Sequence, residues 1–554
     1  MFSRSRGVGI AAVASVVLVL AAGCTGGADD SSAASSSSPA ARATAGVRAP
    51  AESLTVLGDR DPAAASVAAS ALLFTRSDVA VVARDGDRGG ELLAASAAVG
   101  LGVPLLLEPT DGSDDALAHE LDRLGATTVL AVGKAAAADA GTDVVAVPAD
   151  VDAVDDATGL ELGDADPVAD DAAVAAVAAL DPEHPVALRS ADAGHAEGKK
   201  TSGRLPAVTR AEPLTDTVVI STGSSESLAA AATARAAGAP VQLTAGPDPR
   251  GTADLVRLLA DRKPAHVVAL GADLAAQQGL DWKIATAATG TQLPGGGQLI
   301  FPAHMLVALY GSPGTPALGV LGEQDPAASV QRARDTAKPY EALTDRTVVP
   351  TFEIIATVAS SDPGPDGDYS SEIDIAALRP LVDAAAAAGI YVVLDLQPGR
   401  TDFLTQAQRY TELLQLPNVG LALDPEWRLG PNDQHLVSVG SVDVDEVNRV
   451  VTWLADLTRA KALPQKLLVL HEFRTDMITG RERLDVSRDE LAVLVHADGQ
   501  GGQGEKQATW AALHAGAPPV WWGWKNFYDE DTPMLTPEQT VAQVNPVPDL
   551  VSYQ

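Results

Sequence analysis

Short apolar runs alternate with alanine-rich helical stretches from Leu54 onward, and this alternation is the clearest pattern in the chain. Its first part predicts strands and helices in turn, at 78–84, 89–102, 104–108, 113–125 and 127–133. Strands that alternate with helices form a parallel sheet, so this part of the chain is predicted to have a parallel α/β fold.

The same succession of elements recurs about 137 residues later, at 217–222, 226–238, 240–244, 250–263 and 266–271. Two local matches support it, because residues 102–107 correspond to 238–243 and residues 129–133 correspond to 267–271. The repetition indicates a duplicated structural unit.

These units carry a Gly-Asp-Arg start at 58–60 and a Gly-Val-Pro turn before a strand at 102–104. In these features they resemble the cell wall-binding repeat 2 family. The resemblance covers 52–285 and implies attachment to a wall polymer. A spacer that keeps only the fold is the alternative, because Gly-X-Pro before a strand is also ordinary turn punctuation.

After Gly295-Gly296-Gly297, which we interpret as a linker, a second series of apolar runs begins. Eight of them read as strands separated by helices, and this pattern predicts a TIM-like (β/α)8 barrel over 296–554, with an open doubly wound sheet as the alternative. The predicted strands are 306–310, 348–358, 391–396, 419–423, 466–470, 491–496, 519–522 and 550–553.

The first residues form a separate segment, in which Arg4 and Arg6 precede an uncharged apolar run and Ala21-Ala22-Gly23-Cys24 follows it. This order predicts a signal peptide over 1–23. The segment resembles the bacterial lipoprotein signal, which implies a lipid on Cys24, the only cysteine. The resemblance places the protein at the outer face of the cell membrane, behind a Ser/Ala-rich linker over 24–51 that lacks apolar periodicity.

The net charge is −34, and it becomes −36 when the signal peptide is removed. So acidic a chain is not expected to bind nucleic acid, or to adhere by charge alone to anionic lipid or wall polymer. Most of this charge is explained by solvated surface aspartates, so only clustered carboxylates are candidates for chemistry.

The active site of such a barrel lies where the strands end, because the βα loops converge on one face. Asp424 and Glu426 end the fourth strand and can point to the same side. Two adjacent carboxyls raise each other's pKa, so one can stay protonated and serve as the general acid of glycoside hydrolysis. Asp395 and Glu472, at the ends of two other strands, are reserve partners.

The run Leu423-Asp424-Pro425-Glu426-Trp427 resembles the fourth-strand Asp-X-Glu of family 18 chitinases and family 25 muramidases. The resemblance implies that Glu426 is the acid and that Asp424 orients an acetamido group or an oxazolinium intermediate. The alternative is a plain turn, since Asp before Pro commonly starts one.

Six of the seven tryptophans lie between Trp427 and Trp524. Tryptophan faces stack on sugar rings, so a cluster beside carboxylates indicates a carbohydrate cleft. We predict that substrate binds to aromatic and polar side chains at the strand ends, namely Trp427, Trp522, Trp524, Tyr310, His471 and Asp498.

No cofactor and no metal are expected, because no tight ligand motif is present. The alternative is a metal site of His471 and His496 with Asp395, Glu472 or Asp498, as in wall-sugar deacetylases. The sequence thus predicts a surface lipoprotein that hydrolyses a cell-wall or other extracellular glycan. Its rival is a lipoprotein that binds the glycan without cleaving it.

Overall fold

The computed structural model describes residues 42–110, 115–137, 141–192 and 201–554. Cys24, the predicted signal peptide and most of the predicted linker lie outside these residues. The last part of that linker is structured, because Ala43–Val47 is a strand that pairs with Phe74–Ser77 and Val208–Thr209. No helix within the described ranges is long and apolar enough to cross a membrane.

The two repeat units form two parallel four-stranded sheets. The first sheet has the order Leu105–Glu108, Val79–Arg84, Thr128–Val132, Asp143–Val147. The second has the order Val241–Leu243, Thr217–Ser221, His266–Leu270, Leu54–Leu57. The second unit therefore takes its fourth strand from the beginning of the module, where Leu54 pairs with Val267.

Alanine-rich helices fill the space between the two sheets. Leu228–Ala236 packs against both Pro62–Leu73 and Arg88–Leu101, and its small side chains are buried nearly all round. Small residues allow helices to approach closely, which explains the high alanine content of this module. Its other helices are Asp115–Leu124, Val151–Thr158, Ala173–Ala178, Ala253–Arg262, Ala272–Ala275 and Leu280–Ala287.

The C-terminal part is a closed barrel of eight parallel strands, which confirms the predicted TIM-like fold. Its strands are His304–Gly311, Thr347–Ala359, Tyr391–Leu396, Val419–Leu423, Lys466–Glu472, Leu491–Ala497, Trp521–Asn526 and Leu550–Tyr553. The first strand pairs with both the second and the eighth, and this pairing closes the barrel.

Helices surround the barrel, at Pro326–Ala337, Ile375–Ala388, Phe403–Arg409, Thr411–Leu414, Val444–Ala460, Gln503–His514 and Pro537–Gln543. A short strand, Ser370–Glu372, pairs antiparallel with the end of the second barrel strand. Val442–Asp443 and Ile478–Thr479 form a small separate pair.

The predicted glycine linker is packed rather than free. Leu293, Ile300 and Phe301, on either side of the glycines, belong to the apolar core inside the barrel and form its floor. The three glycines have φ angles of 91°, 99° and 69°, a region that favours glycine. The chain therefore turns beneath the barrel and enters the first strand without a flexible joint.

The repeat module contacts the floor side of the barrel. Trp282 of the module lies between the guanidinium groups of Arg250 and Arg459, at 4.5 and 4.4 Å from its ring centre. Buried Lys283 donates to Asp489, at 2.5 Å, in the loop before the sixth barrel strand. Module and barrel thus belong to one compact unit, 42–554.

Candidate active site

A ring of polar side chains lies at the carboxyl end of the barrel, which we call the mouth. Every barrel strand contributes one inward-facing residue, and all of them are at most 3% exposed: Tyr310, Glu353, Asp395, Asp424, His471, His496, Lys525 and Ser552. Nearly all inward residues nearer the floor are apolar, with Thr351 and His304 as exceptions, so the charged side chains of the interior are gathered at the end where TIM-barrel sites are found.

His471 lies at the centre of this ring and bridges two carboxylates. Its Nε2 is 2.8 Å from Glu353 Oε1, and its Nδ1 is 3.0 Å from Asp498 Oδ2. Burial opposes a charge on His471, but Glu353 and Asp498 outweigh it and raise its pKa well above the usual value. An imidazolium can donate from both nitrogens, so the side chain fits this bridge in its charged form.

The two carboxylates on either side of His471 remain ionised. Burial alone would raise the pKa of Glu353, but the charge and hydrogen bond of His471 lower it to about 2. The pKa of Asp498 is also lowered to about 2, because the hydrogen bond and charge of His471 outweigh burial. The centre of the mouth is thus a charged, hydrogen-bonded bridge.

Two neighbouring aspartates have raised pKa values, in contrast to Glu353 and Asp498. Burial raises the pKa of Asp395 to about 6, although the charge of His471 partly offsets it. Burial, reinforced by the charge of Asp395, raises the pKa of Asp424 well above its usual value. Tyr310 donates to Asp395 Oδ2 at 2.8 Å and fixes that side chain.

His496 and Lys525 complete the ring. Burial lowers the pKa of His496 to about 3, so its ring is neutral, and its Nε2 is 3.1 Å from Ser552 Oγ. The Lys525 ammonium is 3.7 Å from the centre of the Tyr310 ring, a cation–π distance. These contacts hold both basic groups against the inner wall.

Glu426 lies at the rim of the mouth, on the short turn Pro425–Trp427 after the fourth strand. Asp424 Oδ1 accepts from the backbone N–H of Glu426 at 3.3 Å and fixes the turn. Glu426 is only partly buried, yet burial and then the charge of Asp498 raise its pKa to about 7. This carboxyl can both meet a ligand and carry a proton near neutral pH.

Most of the sequence-predicted residues meet at this mouth. Tyr310, Asp395, Asp424, His471 and Asp498 lie in or beside the ring, with Glu426 above them. Glu472 does not, because consecutive strand residues face opposite sides and His471 faces inward. Its carboxylate accepts from Arg481 at 3.1 Å, outside the barrel, so the structure does not bring Glu472 together with the other predicted catalytic residues.

Two of the three tryptophans predicted to bind substrate lie outside the mouth. Trp522 and Trp524 face the surrounding helices, where Trp522 stacks on His514 at 3.5 Å and Trp524 meets Trp510 edge-on. The seventh strand runs from Trp521 to Asn526 rather than over 519–522, and the residues that face inward are Trp521, Gly523 and Lys525.

Trp427 keeps its position beside the mouth. It is partly exposed and next to Glu426, and its ring centre is 5.4 Å from that of His435. His435 Nε2 is in turn 3.0 Å from the backbone oxygen of Tyr369. Trp427, His435 and Tyr369 thus form an aromatic group on the rim.

Glu353, Lys525 and Ser552 are part of the ring but were not predicted as site residues. Glu353 could have been found, since it is the only charged residue in the apolar run 348–358. His496 was predicted only within the alternative metal site. The structure brings together Glu353, His471 and His496, whose ligand atoms all lie within 4.8 Å of one another.

No protein-family model matches the chain, and no curated protein sequence matches it significantly. Among solved structures, Cwp6 from Clostridium difficile is similar at 13% identity and a TM-score of 0.31, over 57% of this chain and 64% of Cwp6. The chain thus spans slightly less than two thirds of that protein. Cellobiohydrolase II (Cel6A) from Humicola insolens, solved with glucose and cellotetraose, has 10% identity and a TM-score of 0.19, over 46% of this chain and 67% of the enzyme. Likeness at this level establishes neither a shared family nor a shared activity.

Proposed function

We propose that the barrel is a glycoside hydrolase in which Glu426 is the general acid. One observation carries the proposal: at the rim of a ring of buried carboxyls, Glu426 is a carboxyl that stays open to a ligand. The sequence around it, Asp-Pro-Glu-Trp at the end of the fourth strand, has the Asp-X-Glu spacing found in barrels that cleave N-acetylated wall sugars.

Protonation of Glu426 supports this role. Its pKa of about 7 means that a substantial fraction carries a proton at neutral pH, as a general acid requires. The proton would pass to the glycosidic oxygen as the bond to the leaving sugar breaks. Burial raises the pKa of Asp424 well above its usual value, and in its protonated form this carboxyl can donate a hydrogen bond to the substrate.

Other residues of the mouth suit the stabilisation of the transition state and the binding of the sugar. Positive charge develops on the sugar ring as the bond breaks, and the carboxylates beneath Glu426 would stabilise it. Trp427 offers an apolar face beside the acid for a sugar ring. The substrate class that fits is a cell-wall or other extracellular glycan.

The variant Glu426→Gln tests the proposal. It keeps the size and hydrogen-bonding reach of the side chain but cannot donate a proton, so kcat should fall by roughly 10²- to 10⁴-fold. Glu482→Gln, at an exposed glutamate of the loop after the fifth strand, is the matched control and should cleave like the parent. A panel of wall and storage glycans supplies the substrates.

The pH profile gives a second readout. Because the acid must be protonated, the rate of the parent should be constant below about pH 7 and fall about tenfold per unit above it. Residual activity of Glu426→Gln should lack this limb. Parent-like turnover by Glu426→Gln would exclude it as the acid, and binding without cleavage by the parent would favour the saccharide-binding alternative.

We further propose that the protein acts at the outer face of the membrane, held by a lipid on Cys24. The proposal is supported by the basic start, the apolar run and the small residues before the only cysteine. Cys24→Ala should lose labelled fatty acid and appear in the medium, or stay uncleaved. Equal labelling of the variant and the parent would exclude this anchor.

A further inference from the structure

Three side chains in the middle of the barrel mouth bring possible ligand atoms together, namely Glu353, His471 and His496, whose atoms all lie within 4.8 Å of one another. His471 Nε2 is 2.8 Å from Glu353 Oε1, and His496 Nδ1 is 3.9 Å from the same oxygen. Asp395 lies beside them, with Oδ1 3.9 Å from His471 Nε2. All four side chains are at most 1% exposed. We call the small buried volume between the two imidazoles and Glu353 the cage.

Polar atoms with no partner lie in and beside the cage. Within the described part of the chain, Glu353 Oε2, Asp395 Oδ1 and His496 Nδ1 are buried and accept no hydrogen bond. A buried polar atom without a partner is destabilising, and more so when it is charged. The side chains that carry these atoms meet in the middle of the mouth, where a positively charged occupant would give them a partner.

Both histidines of the cage have a partner on the side that faces away from it. Asp498 Oδ2 is 3.0 Å from His471 Nδ1, and Ser552 Oγ is 3.1 Å from His496 Nε2. Tyr310 also donates to Oδ2 of the neighbouring Asp395 at 2.8 Å. Partners of this kind on the far side of each ligand are typical of metal sites. They orient the rings so that one nitrogen of each histidine, Nε2 of His471 and Nδ1 of His496, faces the cage.

We propose that Glu353, His471 and His496 bind one divalent first-row transition ion, such as zinc. Two imidazole nitrogens and a carboxylate suit zinc, whereas calcium and magnesium prefer oxygen ligands alone. Zinc bonds of about 2.0–2.1 Å separate tetrahedral ligand atoms by about 3.4 Å. The distances of 2.8 and 3.9 Å from Glu353 Oε1 to the two histidines lie on either side of that value.

The ion replaces the direct contact between His471 and Glu353, which in its absence is a hydrogen bond between charged groups. This differs from the metal-free site that the sequence predicted, because Glu353 was not recognised as a ligand. The inference does not rest on glycan cleavage. A protein that fails to hydrolyse any glycan can still bind the ion, and the reverse also holds.

Metal binding by the full chain tests the proposal directly. The protein is stripped with a chelator, incubated with a small excess of zinc and desalted. We expect about one zinc per chain by mass spectrometry of the metal, together with a raised Tm, since an ion that binds only the folded state stabilises it. Less than a tenth of an equivalent, with an unchanged Tm, would overturn the proposal.

Variants locate the ion. Glu353→Gln and His496→Gln change a ligand at similar volume and should lose stoichiometric zinc, whereas His435→Gln, at the rim, should bind zinc like the parent. Asp498→Asn, which changes only the outer partner of His471, should weaken binding by about 10- to 100-fold. Retention of one zinc by both ligand variants would place the ion elsewhere and contradict the proposal.

If a ligand variant does not fold, the proposal can still be tested on the parent protein alone. Cobalt(II) in a four-coordinate site of nitrogen and oxygen gives strong visible absorption, and cobalt in water does not. The stripped parent with one equivalent of cobalt should show this absorption, and zinc should abolish it. A spectrum identical to that of free cobalt would overturn the cage as a metal site.

Discussion

The two ends of the barrel interior are built on the same strands but differ in chemistry. Along the fifth strand, Leu467 and Val469 face the apolar floor core, and two residues further His471 lies in the polar ring. The floor is closed by Ile300 and Phe301 from the preceding segment. The backbone alternation is the same at both ends, so the difference lies in the side chains alone.

The apolar floor stabilises the barrel, whereas the charged mouth contributes little to its stability. Replacing a buried ion pair by apolar residues of similar volume often leaves a protein equally stable or makes it more stable. A ring with a polar residue from every strand is therefore not explained by folding. It is explained by a site, because the loops of this end converge there. The following predictions test this division.

The largest effect is expected for Trp524→Ala. Trp524 lies at the level of the mouth but faces the helices, so it belongs to the stabilising part of the barrel. Removal of so large a buried side chain should lower the free energy of unfolding by about 3–5 kcal/mol. Urea titration measures it, and the folded fraction should bind glycans like the parent. Weakened glycan binding with an unchanged free energy of unfolding would contradict this prediction and indicate that Trp524 contacts the glycan.

Leu467→Ala tests the floor on a strand that also reaches the mouth. Leu467 is fully buried in the inner core, so its truncation should cost about 2–5 kcal/mol in unfolding free energy. The kcat of the folded protein should not change. A loss below about 1 kcal/mol would show that the floor is less tightly packed than described.

Lys466, at the start of the same strand, should make the free energy of unfolding depend on pH. Burial lowers its pKa from 10.5 to about 7, and its ammonium donates to the backbone oxygens of Leu416 and Val419. From about pH 7 to 10 the unfolded chain binds the extra proton, so stability should rise by about 1.4 kcal/mol per unit. Lys466→Met should remove this slope. Parallel profiles for parent and variant would contradict the shift.

Asp424, in the mouth, should make the free energy of unfolding depend on pH in the opposite direction. Its raised pKa means that the folded state keeps a proton that the unfolded state releases above about pH 4. Stability should therefore fall with rising pH, by up to about 1.4 kcal/mol per unit, until the folded-state pKa is reached. Asp424→Asn should be flatter over this window. The same urea titrations, taken as parent minus variant, measure it.

The smallest effect is expected for Trp427→Ala. Trp427 is partly exposed on the rim, so its loss should weaken glycan binding by about 1 kcal/mol and change stability little. Calorimetric titration of a bound oligosaccharide checks this, with Glu426→Gln as a partner variant that should bind normally. Unchanged affinity would remove the aromatic rim from the binding site.

The sequence predicted the two-part α/β architecture and all eight barrel strands, because these depend on local apolar runs and turn residues. It did not predict which strand residues face inward. Strands of a parallel barrel are buried on both sides and lack the alternation that separates core from solvent. For this reason Glu472 was predicted for the site and Glu353 was not.

Errors at the seventh strand and the linker have related causes. The strand begins at Trp521, so Trp522 and Trp524 face outward, and a shift of a few residues in the predicted boundary hid this. The three glycines at 295–297 were interpreted as a linker, and their positive φ angles serve a turn that is packed under the barrel. Local composition shows that a chain bends, but not what packs around the bend.

Strand Leu54–Leu57, which comes from the beginning of the module but belongs to the second sheet, has a consequence for the assembly of the protein. Its partner, His266–Leu270, is more than two hundred residues away in sequence, so the second sheet stays unfinished until nearly the whole module has been made. In a chain shortened past residue 57, the backbone of His266–Leu270 would become the edge of the sheet in place of Leu54–Leu57. The first residues of the module thus complete a sheet whose other strands are made much later in the chain.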